Sequence, residues 1–476
     1  MEYLKRLEAS EAELLERLKE LISIRSVAED AEGSYPFGAG VQKALDYFLN
    51  LGESMGFTAY DADHYGGHLE FRGGTFDDEG RLIEPAKETL GILVHLDVVP
   101  EGDGWETPPY EPYVAGGVLY GRGAEDDKGP AMAALFAMKA LKDAGFRPKK
   151  NIRMILGLDE ETDWIGMEHY LSNVAPPDFS FSPDADFPVI CGEKGFLVFD
   201  LARKLKKSTE DGLHLRSISG GRAANCVPDR AKALLNGPSY EKVNEALDVF
   251  CERTGYSLTA RRRGKSLEIS AEGISAHGAV PGEGLNAISI LMAFLGELNL
   301  AGEEIREFIS FYNEKIGFET DGTSLGCGLK DDLSGGLVFN VGLVSMNEEA
   351  IQVTVNVRYP ISADDAAVYA AMMPELNRYD IGVVKGSHKV PIYVPEDSRL
   401  VQTLLDVYRR QTGDTESRPL IIGGGTYARA VPNAVAFGAL FPGTKETMHQ
   451  PNECIPVENL MRAAKIYAEA IYELVK

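Results

Sequence analysis

The chain has 476 residues, 44% of them hydrophobic and 25% charged, proportions ordinary for soluble globular proteins. Long intrinsic disorder and a single small module are both excluded, and at roughly 100–200 residues per domain the chain should hold two to four domains. Lys and Arg number 48 against 73 Asp and Glu, a formal net charge of −25; such a surface repels phosphate backbones and anionic lipid, so nucleic acid and membranes are excluded as partners.

In chain order, Leu4, Leu7, Leu14, Leu15, Leu18 and Leu21 recur near helical spacing among Glu, Lys and Arg, which predicts an amphipathic surface helix packed on a sheet. The segment lacks the apolar core of a signal peptide, and no run of about 18 apolar residues follows. Cys191, Cys226, Cys251, Cys327 and Cys454 are odd in number, widely spaced and without a CxxC pair. A reducing cytoplasm and a soluble protein are the expectation.

From about residue 90, short apolar runs (residues 91–99, 152–158 and 179–185) alternate with helical stretches such as 130–145. That rhythm predicts buried, mostly parallel strands flanked by crossover helices. Beyond Gly192–Gly195 the pattern changes. Ile351, Val353, Val355 and Val357 interleave with Gln352, Thr354, Asn356 and Arg358, the signature of a sheet with one wet face. Helices accompany it, one carrying Val243, Leu247 and Phe250 and closed by Gly255, another capped by Ser362 ahead of Asp365. Residues 385–398, with two prolines, read as the return crossing. The expected organisation is an α/β catalytic domain in two parts, 1–194 and 385–476, interrupted by an α+β domain at 195–384.

The candidate chemistry sits at strand ends. His95 and Asp97, two apart, face the same way on a strand, which suits a metal ligand and a carboxylate holding its other ring nitrogen; a chance surface pair is the alternative. Glu125, Asp126 and Asp127 lie between glycines ahead of an apolar helix. One acid suffices for capping, whereas three consecutive acids repel unless a cation neutralises them. Asp159, Glu160 and Glu161 follow an apolar strand, at the carboxyl edge where open α/β sheets place their sites, so one carboxylate can bind metal while its neighbour acts as a base. Asp184 and Asp186 close a further strand.

These segments together resemble peptidase family M20, a family of co-catalytic metallohydrolases, most closely its PepV-like bacterial dipeptidases of Xaa-His or broad specificity. The matching stretches, in order, are HLDVVP (95–100), YGRGAEDDKGP (120–130), DEET (159–162), SPDADFPVICGEKG (182–195), AANCVPD (223–229), GISAHGAVPGEGLNA (273–287), RYP (358–360), GGGTYAR (423–429) and MHQPNE (448–453). The resemblance implies a di-metal exopeptidase-like catalytic domain with an inserted lid. It implies that His95 and Asp184 bind one metal, Glu161 and His449 the other, and that Asp126 bridges them. Asp97 would orient His95, and Glu160 would be the general base toward a metal-bridging hydroxide. His277 would stabilise the oxyanion and Arg358 would grip the substrate α-carboxylate, with Asn225, Gly424, Gly425 and Thr426 adding contacts. The implied cofactors are two divalent ions, zinc first and manganese or cobalt as alternatives. The implied partner is a dipeptide, its amine near Glu160 or Asp186, and the protein would act as a monomer or weak homo-oligomer.

Metal binding lowers the pKa of water from 15.7 to about 7, on the order of 12 kcal/mol, against roughly 10²- to 10⁴-fold from a general base, so the metals should dominate. An amidase of the same family, cleaving N-acyl or N-succinyl amino acids, would share every metal ligand. A non-catalytic binding protein is disfavoured by the presence of Glu160 beside all five ligand positions. Gly264-Lys265-Ser266 mimics the end of a phosphate loop, but Thr259 stands where its first glycine is required.

Overall fold

A computed structural model describes residues 1–206, 208–238 and 240–476. The chain divides into two compact units. One comprises Met1–Cys191, Tyr393–Leu420 and Gly425–Lys476; the other comprises Gly192–Ile392 and Ile421–Gly424.

In the first unit the strands Asn151–Gly157, Thr89–His95, Phe179–Ser182 and Ala434–Ala436 run parallel, side by side in that order. Every residue of Thr89–His95 is buried, as a strand covered on both faces requires. Gly67–Phe71 joins Asn151–Gly157 antiparallel, Thr58–Asp61 follows it antiparallel, and Ile190 pairs antiparallel with Ala436. The helix Lys128–Asp143, whose Pro130 sits in the first turn where its missing N–H costs nothing, packs against the C-terminal helix Val457–Val475.

The N-terminal amphipathic segment differs from the single helix expected. It forms two, Glu2–Ala9 and Glu11–Ile22, broken at Ser10, whose hydroxyl donates to the Leu7 carbonyl at 2.8 Å. They bury Tyr3, Leu7, Leu14, Leu18, Leu21 and Ile22, while Leu4 and Leu15 stay half-buried. Their apolar stripes pack chiefly on the helices Lys128–Asp143 and Val457–Val475 rather than on the sheet.

The second unit is an eight-strand path in the order Ser257–Arg263, Ser266–Glu272, Arg230–Asn236, Leu213–Gly220, Val338–Met346, Ala350–Tyr359, Gly195–Lys204 and Gly382–Lys389. Its neighbours are antiparallel, and the helices Tyr240–Thr254, Ala287–Gly296, Glu303–Lys315 and Asp365–Arg378 pack on it. Val243, Leu247 and Phe250 are buried as the spacing predicts, and Gly255 takes φ 74° after the helix. Two expectations need correction. Asp364, not Ser362, caps the helix Asp365–Arg378, its carboxylate accepting from Ala367 N at 2.7 Å, while the Ser362 amide is used up on Asp331. The alternation along Ala350–Tyr359 also fails at its end, where Asn356 and Arg358 are buried with the valines.

Residues 385–389 complete the edge strand Gly382–Lys389, so the chain changes unit only at Ile392–Tyr393. All five cysteines are free. Among the described residues no helix is long and apolar enough to cross a membrane.

Candidate active site

Because Thr89–His95, Asn151–Gly157 and Phe179–Ser182 are parallel, their carboxyl ends share one edge of the sheet. His95 closes the first strand, Glu160 and Glu161 follow the second, and Asp184 follows the third. Asp126 lies just ahead of the helix Lys128–Asp143, and His449 comes from the loop ahead of Cys454–Pro456.

These side chains converge around Asp126. Its Oδ1 lies 2.9 Å from His95 Nε2, and its Oδ2 lies 2.9 Å from His449 Nε2. His449 Nε2 is also 3.0 Å from Glu161 Oε1, and His95 Nε2 is 3.7 Å from Asp184 Oδ2. Donor atoms of His95, Asp126 and Glu161 lie within 4.8 Å of one another, as do those of His95, Glu160 and Asp184. His95 is fully buried, whereas the His449 side chain is half exposed.

Four carboxylates face two imidazoles here, and the pKa values register the imbalance. Burial drives the Glu160 and Glu161 carboxyls up, and burial together with Asp126 pushes Asp184 up to about 7. Against the burial that would raise it, Asp126 is held far below the carboxylate range by hydrogen bonds to His449 and His95. Hydrogen bonds to Asp126 and Glu161 push His449 up to about 11. His95 is raised as well, its bonds to Asp126 and Asp97 outweighing burial. Negative charge in excess of the protein's own cations, on a nitrogen- and oxygen-donor set with one carboxylate shared between two histidines, fits a pair of divalent ions.

The surrounding contacts refine one expectation. His95 Nδ1 lies 3.0 Å from the Asp97 carbonyl oxygen, with the Asp97 carboxylate farther off at 3.4 Å. A carbonyl can only accept, so Nδ1 carries the proton and Nε2 is directed at the cluster. The Asp97 carboxylate instead accepts the Glu161 N–H at 3.1 Å, tying the second strand end to the first. Asp127 accepts the His95 N–H at 3.1 Å, and Asp159 accepts Gly166 N at 3.0 Å at the start of the helix Ile165–Asn173. Neither Asp127 nor Asp159 belongs to the donor groups. Asp186 is exposed and belongs to neither donor group.

In the second unit Asn225 and His277 are brought together. Cys226 pairs with His277, and Gly278 N donates to the Asn225 carbonyl at 2.7 Å. A Cβ at Gly278 would lie 2.8 Å from that carbonyl group, which is why glycine follows the histidine. The side chains of Asn225 and His277 are both exposed. Arg358 is buried, its guanidinium 4.3 Å from the Phe196 ring centroid and its Nε donating to Asn356 Oδ1 at 3.2 Å. Gly424 is half-buried. In the first unit Gly425 is exposed, and Thr426 is buried with its hydroxyl accepting from Ala428 N at 3.2 Å.

The model of the peptidase family M20/M25/M40 matches residues 91–473. The chain belongs to that family. It is a hydrolase of the M20 type, and its relatives match it end to end. "Putative dipeptidase YtjP" of Bacillus subtilis is 37% identical over 470 residues, covering 98% of this chain and 97% of that protein. "Putative dipeptidase" of Staphylococcus epidermidis is 37% identical over 471 residues, with the same coverage of 98% and 97%. Among solved structures, aminoacylhistidine dipeptidase of Vibrio alginolyticus aligns with a TM-score of 0.59 at 13% identity, over 97% of this chain and 96% of that one. Human carnosine dipeptidase 1 aligns with a TM-score of 0.57 at 15% identity, over 99% and 98%. At these identities the two structures speak for the fold.

Several buried residues near this cluster carry no signal that spacing alone reveals. Tyr427 is fully buried, its ring edge-on to His95 (6.3 Å, 83°) and to Trp164 (5.2 Å, 83°), and the Trp164 indole donates to the Glu160 carbonyl at 2.6 Å. Lys128, fully buried, donates to the Ile24 and Leu21 carbonyls at 2.8 and 3.2 Å, and burial lowers its pKa to about 7. Arg122 and Glu453 form an ion pair at 2.6 Å, each side chain 1% exposed. The segments that hold these residues stand out in the sequence, but Lys128 and Ile24, Arg122 and Glu453, and Tyr427 and His95 each lie more than a hundred positions apart.

Proposed function

We propose that this M20 hydrolase is a dipeptidase working with two divalent ions, zinc first and manganese or cobalt as alternatives, on unblocked dipeptides that include Xaa-His. What carries the proposal is Asp126, whose two carboxylate oxygens each meet a different histidine at 2.9 Å. That is the disposition of a bridging ligand, with Asp184 on the His95 side and Glu161 on the His449 side.

Ions held there would polarise the scissile carbonyl and acidify water. The remaining tasks belong to the chain. Glu160, within 4.8 Å of the His95 and Asp184 donors, takes a proton from the attacking water as the carbon–oxygen bond forms, and returns it to the amine as the carbon–nitrogen bond breaks. Asp97 keeps His95 and the Glu161 backbone in register. For His277 as oxyanion donor and Arg358 as carboxylate clamp, the support is their motifs; the Phe196 ring, its centroid 4.3 Å from the Arg358 guanidinium, restricts where that fork can sit. The inserted segment, expected at 195–384, is the proposed lid. The five free cysteines support a cytoplasmic location.

The test is to strip metal with a chelator, reload zinc, manganese or cobalt, and assay a panel of dipeptides, Xaa-His included, against N-acyl amino acids. Loss on stripping, recovery on reloading and preference for free dipeptides are expected. Full turnover in the stripped protein would refute the metal reading, and preference for acylated substrates would refute the dipeptidase reading.

A further inference from the structure

Glu453 lies at the end of the loop that carries His449, and it closes on the loop that carries Asp126 from both backbone and side chain. Its carbonyl accepts the Gly121 N–H at 3.0 Å. Its Oε1 accepts the N–H groups of Glu125 at 2.9 Å and of Asp126 at 3.2 Å, while Oε2 accepts Arg122 Nη1 at 2.6 Å. Successive N–H groups converging on one point make an anion-binding concavity, and here a carboxylate of the same chain fills it. Arg122 is itself fixed, its guanidinium 5.1 Å from the Trp105 ring centroid and its Nη2 donating to the Glu101 carbonyl at 3.2 Å.

A second connection runs the other way. Glu125 accepts from the Thr447 N–H at 2.7 Å and from the Thr447 hydroxyl. Thr447 Oγ1 in turn accepts Cys454 N at 3.1 Å, closing the loop 447–454 on itself. Both loops spring from one ladder, in which Cys454–Pro456 pairs with Val118–Tyr120. Within the closed loop His449 and Asn452 both hold φ of 62°, a left-handed conformation that non-glycine residues keep only where their surroundings over-determine it.

We propose that Glu453 is a positioning residue: paired with Arg122, it locks the Asp126 loop to the His449 loop and so sets the His449–Asp126 spacing of 2.9 Å on which the second ion position depends. The proposal rests on the two-ion reading above. Glutamate is required on both sides of its carboxylate. A glutamine of the same shape offers one oxygen and one NH₂, so it meets either the two backbone N–H groups or the guanidinium donor to donor, and it leaves Arg122 buried without its anion.

Full-length protein freed of metal is titrated calorimetrically with Zn²⁺ alone, as the unaltered chain and as Glu453→Gln and Thr447→Val. The unaltered chain takes up two equivalents. E453Q keeps one near that affinity and binds the other roughly 10- to 100-fold more weakly, with kcat on a dipeptide falling more than KM rises. T447V, which removes one hydroxyl from the return connection, weakens the same equivalent by roughly tenfold. If E453Q shows no cooperative unfolding transition, T447V decides. Two equivalents bound as in the unaltered chain, with only the thermal midpoint shifted, would overturn the proposal. Fewer than two equivalents in the unaltered chain would instead sink the two-ion reading before any variant is considered.

Discussion

Alanine at Gly157 probes how tightly the carboxyl edge of the sheet is held. A Cβ there would lie 2.1 Å from the Tyr427 hydroxyl oxygen, 2.5 Å from Cζ and 2.6 Å from Cε1. Non-bonded carbon contacts sit near about 3.5–4.0 Å, so the phenol must retreat by roughly 1 Å or more. It has nowhere to go: Tyr427 is fully buried and wedged between the rings of His95 and Trp164, and Trp164 holds the Glu160 carbonyl. Two effects compete. Stiffening the unfolded chain by Gly→Ala favours the fold by about 0.4–1 kcal/mol, whereas overpacking costs about 1–3 kcal/mol, so net destabilisation is expected. A shift of about 1 Å in the catalytic groups can cost on the order of 10²-fold in rate, so kcat should fall much further than stability. Urea unfolding and steady-state turnover read the two effects separately. Gly157→Ala combined with Tyr427→Phe removes the 2.1 Å contact but leaves Cζ at 2.5 Å, so the pair should recover only part of the loss. An alanine variant with unchanged stability and turnover would refute the wedge, and so would complete rescue by the double variant.

Replacing Glu160 with Gln should lower kcat by roughly 10²- to 10⁴-fold while zinc stoichiometry and the unfolding midpoint stay put; retained turnover would remove Glu160 from the proton path. Tyr427→Phe alone takes away a buried hydroxyl that has no hydrogen-bond partner among the described residues, so it should be neutral or stabilising in urea unfolding, and a loss above about 1 kcal/mol would contradict the orphaned oxygen. His68 is buried against the Tyr170 hydroxyl at 2.8 Å, and burial lowers its pKa from 6.5 to about 4. Between those values the unfolded chain binds the extra proton, so stability is lost as pH falls through about 6.5 to 4, on the order of 3 kcal/mol in all. His68→Asn, which keeps an acceptor near Nδ1, should flatten that part of the stability–pH curve, and an unchanged slope would sink the assignment. At the helix Asp365–Arg378, Asp364→Ala should cost about 0.5–2 kcal/mol in unfolding, whereas Ser362→Ala should cost clearly less; the reverse order would restore Ser362 as the cap.

How far the site is legible from the sequence depends on how each residue is held. His95, Glu160, Glu161 and Asp184 end apolar strands, and parallel strands bring their carboxyl ends to one edge, so periodicity alone brings these residues to the same place. His449 stands in a loop without periodicity, in a left-handed conformation that no local residue preference announces, and only the ordered run of motifs points to it. Arg122 and Glu453 are 331 positions apart, and a single ion pair leaves no pattern at that separation. Where one local rule competes with another, the structure decides by satisfying buried polar groups. Ser362 matches a capping pair, yet Asp364 stands next to the helix and the Ser362 amide has Asp331 to satisfy. Asn356 and Arg358 fall on the expected wet face, but there the Asn356 carboxamide accepts from Arg358 and Phe196 covers the guanidinium, so polar residues are buried at positions that alternation assigns to solvent. Such departures gather where a polar group has been withdrawn from water for a purpose, which makes the misfit between pattern and burial a pointer to function in its own right.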